Sequence, residues 1–197
     1  MIVGILSDTH NNTDKIIKAV DFFNLRQAEI VLHAGDFSMP SSAKYFSKLK
    51  GSFISVFGNN DFQEHDLSRI INNFGIISHA PYNFVIDNKI FTLTHYLYGN
   101  YNNTDYVIYG HTHKPRIQKI NNCTYINPGE CCARRYGRST VALLDTNTEN
   151  AQIFDITDLW FVFLIIVLKI YCEIIVFLIV GLILNNIFLY VFEYLNI

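Results

Sequence analysis

The chain has 197 residues, which is enough for one ordinary globular domain with a modest addition but too few for two full domains. Its formal net charge of -2 offers no basic patch of the kind that dominates nonspecific binding to DNA or RNA, so nucleic acid is not favoured as a partner. Hydrophobic residues make up 50% of the chain and charged residues only 16%, and this imbalance comes from the residues after 158.

The first third of the chain predicts three buried strands that each end in a polar turn. Residues 13–24, and then residues 42–49, show the apolar spacing of helices between these strands. Alternating strands and helices predict a parallel α/β sheet, and such sheets bind ligands at the carboxyl ends of their strands. The strands and turns are residues 1–6 before Ser7-Asp8-Thr9-His10, residues 30–32 before His33-Ala34-Gly35-Asp36, and residues 53–57 before Gly58-Asn59-Asn60-Asp61.

The pattern changes after a helix predicted near residues 67–74. Short apolar segments now follow one another closely, with turn residues between several of them, which predicts a meandering sheet up to residue 157. These strands are predicted at residues 84–86, 90–93, 106–109, 117–120, 125–126, 141–144 and 153–156.

Seven polar side chains at predicted strand ends form the candidate functional site. Carboxylate oxygens and imidazole nitrogens together suit borderline divalent metals, and seven ligands would hold two ions. Each short motif is a weak signal by itself, but all of them occur in order and in the expected context. The residues are Asp8, His10, Asp36, Asn59, His95, His111 and His113.

In these motifs the chain resembles the calcineurin-like metallophosphoesterases, and among them the small phosphodiesterases of the YfcE type. The resemblance covers about residues 1–157 and implies an α/β fold, a four-layer α/β/β/α sandwich. The matching segments are Ser7-Asp8-Thr9-His10, Gly35-Asp36, Gly58-Asn59-Asn60-Asp61, Thr94-His95, Gly110-His111-Thr112-His113 and Asn127-Pro128-Gly129.

The resemblance also implies roles for the seven residues. Asp8, His10 and His113 would bind one metal ion, Asn59, His95 and His111 the other, and Asp36 would bridge both. Two such ions activate a bridging hydroxide that attacks the phosphorus of a small phosphate ester, a phosphodiester in relatives of this type. Manganese is the favoured ion, and nickel, cobalt, iron and zinc are also compatible with these ligands. Asp36, Asn59 and His95 are expected to act most directly in catalysis.

The chain departs from the family pattern at three positions, of which the first is Asn11, where a glycine frequently follows the Asp-x-His motif. Asn60 stands where many relatives have a histidine that protonates the leaving group, so that role is unassigned. Tyr96 stands where relatives usually have glycine, and its bulk is expected to alter the substrate pocket.

Several other polar residues have two interpretations each. His33 is either a second-layer support of the site or a packed core histidine, and Asp61 either orients the site loop or only forms a turn. The arginines 134, 135 and 138 either attract an anionic substrate or form a solvated charged run. Burial rather than reactivity is expected for Cys131-Cys132.

The C-terminal tail, residues 158–197, is expected to be an addition to the catalytic domain of residues 1–157. Residues 159–184 are long and apolar enough to cross a bilayer, although they contain Lys169 and Glu173. A single membrane span anchoring a cytoplasmic catalytic domain is the simplest interpretation. The alternatives are an amphipathic or oligomerising helix, and a segment gained by frameshift or fusion.

Two classes of function remain open. The first is a metal-dependent phosphoesterase, which the intact ligand set favours. The second is a catalytically weak or inactive scaffold on the same fold, like the retromer subunit that binds proteins through its surfaces. A DNA-processing nuclease is disfavoured because the chain has neither a basic groove nor a capping domain. The sequence does not determine the oligomeric state.

Overall fold

Two mixed β-sheets stacked face to face form the frame of the protein in the computed structural model, which describes residues 1–99, 101 and 103–158. Along these residues the strands are β1 (Ile2–Leu6), β2 (Ile30–His33), β3 (Ser52–Val56), β4 (Ile76–Ser78), β5 (Tyr82–Ile86), β6 (Lys89–Leu93), β7 (Tyr106–Ile108), β8 (Arg116–Ile120), β9 (Cys123–Asn127), β10 (Thr140–Asp145) and β11 (Asn150–Asp155). The first sheet has the order β11-β10-β1-β2-β3-β4 and the second has the order β5-β6-β7-β9-β8.

Helices connect the parallel strands of the first sheet. They are α1 (Thr13–Leu25), α2 (Pro40–Ala43), which continues as a 3-10 helix (Lys44–Lys48), and α3 (Glu64–Ile71). Because β1, β2, β3 and β4 are neighbours in chain order and pair in parallel, right-handed crossovers place these helices on one face of the sheet. Phe23 of α1 lies directly over Gly4, where a Cβ atom would overlap its ring.

The main hydrophobic core lies between the two sheets. Strands of the first sheet contribute Val3, Ile5 and Leu32, while strands of the second contribute Phe91 and Ile108, all completely buried. Inward-facing residues alternate with outward-facing ones along these strands, as the period of two requires. The core therefore holds both sheets in a fixed position, and with them the loops at their strand ends.

The parallel α/β arrangement predicted for the first third is confirmed, with β4 as a strand that the sequence pattern did not indicate. The predicted meander is confirmed only within the antiparallel pairs β5–β6, β8–β9 and β10–β11. It is wrong for the sheet as a whole, because β6, β7 and β9 pair in parallel and β10 and β11 join the first sheet. The long connections between these strands make parallel pairing possible, and local periodicity does not reveal it.

The predicted membrane segment lies in residues 159–197, outside the described residues. Within the part of the chain that is described, no helix has the length and apolar character needed to cross a bilayer.

Candidate metal centre

The seven predicted ligands meet at one edge of the two-sheet sandwich. Each follows the carboxyl end of a parallel strand, so the ends of both sheets contribute to the same site. The first sheet supplies Asp8 and His10 after β1, Asp36 after β2 and Asn59 after β3, and the second supplies His95 after β6 with His111 and His113 after β7.

One group of donor atoms is centred on two imidazoles. Nε2 of His10 lies 3.4 Å from Nε2 of His113, which in turn lies 3.4 Å from Oδ1 of Asp8. His10 Nε2 is 3.9 Å from that carboxylate oxygen and 3.6 Å from Oδ2 of Asp36. Ligands about 2.1 Å from a common ion are separated by about 3–4 Å, so this group has the spacing of a metal site.

A second group is centred on an amide oxygen. Oδ1 of Asn59 lies 3.1 Å from Nε2 of His95 and 3.1 Å from Nδ1 of His111. Nε2 of His95 is also 3.4 Å from Oδ1 of Asp36. The two oxygens of Asp36 thus face different groups, with Oδ2 toward the first and Oδ1 toward the second.

The donor atoms show the features expected of a cation site. Oδ1 of Asp8 is buried and has no hydrogen-bond partner, a costly state for a carboxylate. Burial raises the pKa of Asp8 to about 6, although His95 and His113 act in the opposite direction. Asp36 and Asp8 in turn outweigh the effect of burial and raise the pKa of His95. A positive ion at this position would satisfy both carboxylates.

Three of the imidazoles contact another protein group through Nδ1, the ring nitrogen that faces away from the donor groups. His95 donates its Nδ1 proton to the carbonyl oxygen of Ala34 at 2.7 Å, which leaves Nε2 free to bind a metal. His10 Nδ1 contacts Ser38 Oγ at 3.0 Å. Such partners fix the ring and its tautomer in metal sites.

Glu130 provides the third support, and the sequence analysis did not identify it. Its carboxylate is 1% exposed, and Oε2 accepts a hydrogen bond from His113 Nδ1 at 2.7 Å. The backbone N–H groups of Arg135 and Tyr136 also donate to this carboxylate. The available signal was position, because Glu130 directly follows the Asn127-Pro128-Gly129 motif.

The backbone is strained at most of the candidate ligands. Five of the seven adopt a left-handed conformation that residues other than glycine seldom occupy, and such residues concentrate at functional sites. Hydrogen bonds between loops maintain this geometry: the N–H of residue 8 donates to Gly35 O and that of residue 10 to Asp36 O, both at 3.0 Å. The five are Asp8, His10, Asp36, His111 and His113.

Asp61 connects the loops that follow β2 and β3 through hydrogen bonds. Its Oδ2 accepts hydrogen bonds from the N–H groups of Asp36 at 3.0 Å and Gly58 at 2.8 Å, and its Oδ1 accepts one from Ser38 at 2.7 Å. This geometry supports an orienting role over a simple turn. Gly58 itself allows close approach, because a Cβ atom there would overlap Asp36.

Asn60 acts on the central carboxylate. Its backbone N–H donates to Oδ1 of Asp36 at 2.9 Å and its side-chain amide donates to Oδ2 at 2.7 Å. Burial opposes ionisation of Asp36, but hydrogen bonds from His95 and Asn60 outweigh it and hold the pKa well below its usual range. In this structure, therefore, Asn60 supports the anionic form of Asp36.

His33 lies outside both donor groups. It is fully buried, accepts a hydrogen bond from Gly35 N–H at Nδ1, and its Nε2 contacts Thr9 Oγ1 at 3.1 Å. Its ring stacks on Phe37 with the centroids 3.7 Å apart. His33 is therefore a packed histidine that supports the loops after β1 and β2.

The adjacent cysteines 131 and 132 are buried, as expected, and burial raises the pKa of each to about 12. Cys132 nevertheless lies beside the first donor group. Its sulfur and one ring nitrogen each of His10 and His113 lie within 4.8 Å of one another, a neighbourhood that the sequence did not indicate.

Comparison with known proteins agrees with this geometry. A family model described as the calcineurin-like phosphoesterase superfamily domain matches residues 1–149. This chain belongs to that superfamily. The phosphoesterase is 36% identical over 162 residues to a phosphodiesterase of Methanocaldococcus jannaschii, covering 74% of this chain and 93% of the relative.

Solved structures show the same fold. An archaeal phosphodiesterase, 34% identical, matches this phosphoesterase with a TM-score of 0.72 over 79% of this chain and 99% of its own. The phosphoesterase YfcE of E. coli, 18% identical, matches with a TM-score of 0.63 over 79% of this chain and 100% of its own. The predicted metallophosphoesterase sandwich and the assignment as a phosphoester hydrolase are thereby confirmed.

Proposed function

We propose that this phosphoesterase is a divalent-metal-dependent phosphodiesterase that binds two ions, with manganese as the favoured metal. The observation that supports this most directly is the division of the donor atoms into two groups that share Asp36. A single carboxylate whose two oxygens face separate groups suits a pair of ions held close together.

In this proposal each group of residues binds one ion. Asp8, His10 and His113 would hold the first, Asn59, His95 and His111 would hold the second, and Asp36 would serve both. Bound divalent ions would supply an activated water as nucleophile and would neutralise the charge that develops on the phosphate.

The protein's own groups prepare the site for an anionic substrate. Asn59 contributes a neutral amide oxygen, so the second group has less negative charge than a carboxylate would give it. Hydrogen bonds from Asn60 keep Asp36 ionised and fix its orientation. The four candidate imidazoles must be neutral to bind metal. Burial lowers the pKa of His10 and of His111, which favours their neutral form.

Two arginines add positive charge at the rim. Arg134 and Arg135 are exposed. In addition to burial, the charge of Arg134 contributes to the lowered pKa of His10, and the charge of Arg135 contributes to the lowered pKa of His111. Both are therefore close enough to the site to attract a phosphate ester by charge. This supports the substrate-attracting interpretation of these residues over a merely solvated run.

The preference for a diester rests on similarity. The Methanocaldococcus jannaschii relative is named a phosphodiesterase, and this chain spans 93% of its length. Either a monoester or a diester would satisfy the same two-metal chemistry, so the substrate class needs a direct measurement.

The test is hydrolysis of bis-p-nitrophenyl phosphate by the full-length protein, with added Mn²⁺ and with chelator. We expect metal-dependent turnover that falls about 100-fold or more in Asp36→Asn, because loss of the shared anion removes several kcal/mol of transition-state stabilisation. Asp66→Asn, at a half-exposed aspartate on α3, is the matched control and should retain turnover.

A scaffold function without catalysis is the competing proposal. If the folded protein shows no turnover of either p-nitrophenyl phosphate or its diester with any of the five metals, the catalytic proposal is wrong and the scaffold is favoured. Turnover that survives Asp36→Asn would instead contradict the role of the shared carboxylate.

A further inference from the structure

Two tyrosines extend outward from the second donor group. The rings of Tyr96 and Tyr98 are stacked, with centroids 5.2 Å apart and an interplanar angle of 28°. Tyr96 is half-buried and Tyr98 is 74% exposed, so the pair leads from the site to the protein surface. We call Tyr96 and Tyr98 the aromatic ledge.

The inner end of the ledge is attached to the site itself. The phenol of Tyr96 donates a hydrogen bond of 2.6 Å to Oδ1 of Asn59, a proposed metal ligand. The Tyr96 ring lies 4.0 Å from the ring of His111 and meets that of His95 edge-on at 5.1 Å. A phosphate bound at the centre would therefore have the ledge beside it.

The backbone at the outer end is held by the side chain of Tyr101 in the same loop. The N–H of Tyr98 donates to the phenol oxygen of Tyr101 at 3.0 Å, and that phenol donates to the carbonyl of Tyr98 at 2.8 Å. Tyr101 contacts Tyr125 of β9 edge-on at 6.2 Å, which connects the loop to the second sheet. Thr94 donates to the carbonyl of Tyr96 at 2.8 Å. These contacts fix the backbone of both tyrosines before any ligand arrives.

We propose that the aromatic ledge binds a planar aromatic ring in the ester group of the substrate, by stacking on the exposed face of Tyr98. This inference rests on the proposed function, because the metal centre must hold the phosphate for the ledge to meet its substituent. Stacking on an aromatic side chain needs only the π-face of the ring, so both aryl and nucleobase groups fit this chemistry. A fixed ring also loses little conformational freedom on binding.

The test compares two ligands that cannot be hydrolysed, 4-phenylbutylphosphonate and butylphosphonate. Both bind through the same phosphonate group, and only the first has an aromatic ring, on a chain long enough to pass Tyr96. We expect calorimetry of the full-length protein with Mn²⁺ to give a dissociation constant for 4-phenylbutylphosphonate at least about fivefold lower than that for butylphosphonate.

The variant Tyr98→Leu removes the aromatic face while keeping an apolar side chain, and we expect it to bring the ratio of the two dissociation constants close to one. Tyr45→Leu, at a tyrosine of the 3-10 helix outside the ledge, is the matched control. It should leave the ratio of the two dissociation constants as in the unmodified protein.

A second pair of ligands separates the two possible sources of the ring. The methylenephosphonate analogues of thymidine 5′-monophosphate and of 2-deoxyribose 5-phosphate cannot be hydrolysed, and the second carries a hydroxyl group where the first carries the nucleobase. A preference for the ring-bearing member of either pair that is lost in Tyr98→Leu supports the ledge, and the pair with the larger preference identifies the ring as aryl or nucleobase.

Other outcomes overturn the inference in distinguishable ways. Equal dissociation constants within both pairs would show that the ledge does not bind the ring, and so would a preference that Tyr98→Leu leaves unchanged. Either result leaves the phosphodiesterase proposal intact. If none of the four ligands binds to the metal-loaded protein, the phosphate site itself is absent and both proposals fail.

Discussion

Nδ1 of His113 and Oε2 of Glu130 are 2.7 Å apart, and the carboxylate that forms this contact is almost completely buried. The opposite ring nitrogen of His113 faces His10 and Asp8 in the first donor group. Glu130 therefore acts on the proposed metal site through the imidazole, without touching the position that an ion would occupy.

Glu130→Gln should weaken metal binding, and it should also lower the free energy of unfolding because its N–H₂ group must face either His113 or the N–H groups of Arg135 and Tyr136. Where the amide oxygen faces His113 it can still accept a hydrogen bond, but it lacks the charge that makes the ring a stronger ligand, a loss worth about 10–100-fold in metal affinity. The measurement is the dissociation constant for Mn²⁺ in competition with a chelator. Glu149→Gln, at a glutamate that pairs with Lys89 on the surface, is the control. Equal affinity in Glu130→Gln and the unmodified protein would exclude this role.

That the seven candidate ligands lie together could be predicted because each follows a recognisable strand end or strand-end motif. Asp8, for example, comes after a short apolar strand at a position where parallel sheets bind ligands. Glu130 could not be found in this way, since it is 17 residues from His113 and only tertiary folding brings the two together.

The aromatic ledge was missed for a related reason. The substitution at Tyr96 was visible in the sequence, but its bond to Asn59 depends on how β3 and β6 are placed in different sheets. Likewise, the parallel pairing of β6 with β7 depends on contacts across a connection of twelve residues, 94–105, that no local pattern specifies.

Asp61→Asn should destabilise the protein. The aspartate accepts hydrogen bonds from three backbone N–H groups, and an asparagine would turn its N–H₂ group toward at least one of these donors. We expect the free energy of unfolding to fall by about 1–3 kcal/mol, as for other buried donors left without an acceptor. Urea denaturation followed by circular dichroism measures it. Asp66→Asn should change the value by no more than about 0.5 kcal/mol, and an equal loss in both variants would show that the three bonds contribute nothing specific.

Gly58→Ala should impair catalysis. A methyl group at this position would overlap the carboxylate and backbone nitrogen of Asp36, so the shared carboxylate must move. A displacement of about 1 Å at a reacting centre costs about 100-fold in rate, and kcat for bis-p-nitrophenyl phosphate is the quantity to measure.

The control for this prediction is Gly137→Asn, because the space around Gly137 is open and asparagine tolerates its left-handed conformation. A rate in Gly58→Ala like that of the control would mean that the loop can absorb the methyl group without moving Asp36.

Metal binding should release more protons in mildly acidic solution than near neutrality. Because burial raises the pKa of Asp8 to about 6, this carboxyl is mostly protonated below that pH and must lose its proton to bind a cation. Above about pH 7 it is already ionised and contributes no proton. Calorimetric titration with Mn²⁺ in buffers of different ionisation enthalpy gives the number of protons released at each pH.

The variant Asp8→Asn removes this contribution. Because Asp8 also raises the pKa of His95, the variant lowers that pKa and His95 then releases no more protons than in the unmodified protein. The number of protons released by the unmodified protein should therefore exceed that of the variant by about one or more at about pH 5, and the difference should shrink as the pH rises to about 8. A difference that does not depend on pH would show that Asp8 is ionised throughout this range.

The position of the donor groups at the edge shared by both sheets has a consequence for how the chain acquires its structure. His10 and His113 are separated by 103 residues, and the first sheet is completed by β10 and β11, which are made later still. No partially folded form with only one sheet in place has the full set of ligands. A cation bound at this edge therefore stabilises the completely assembled domain over every intermediate, by an amount that increases with the free metal concentration.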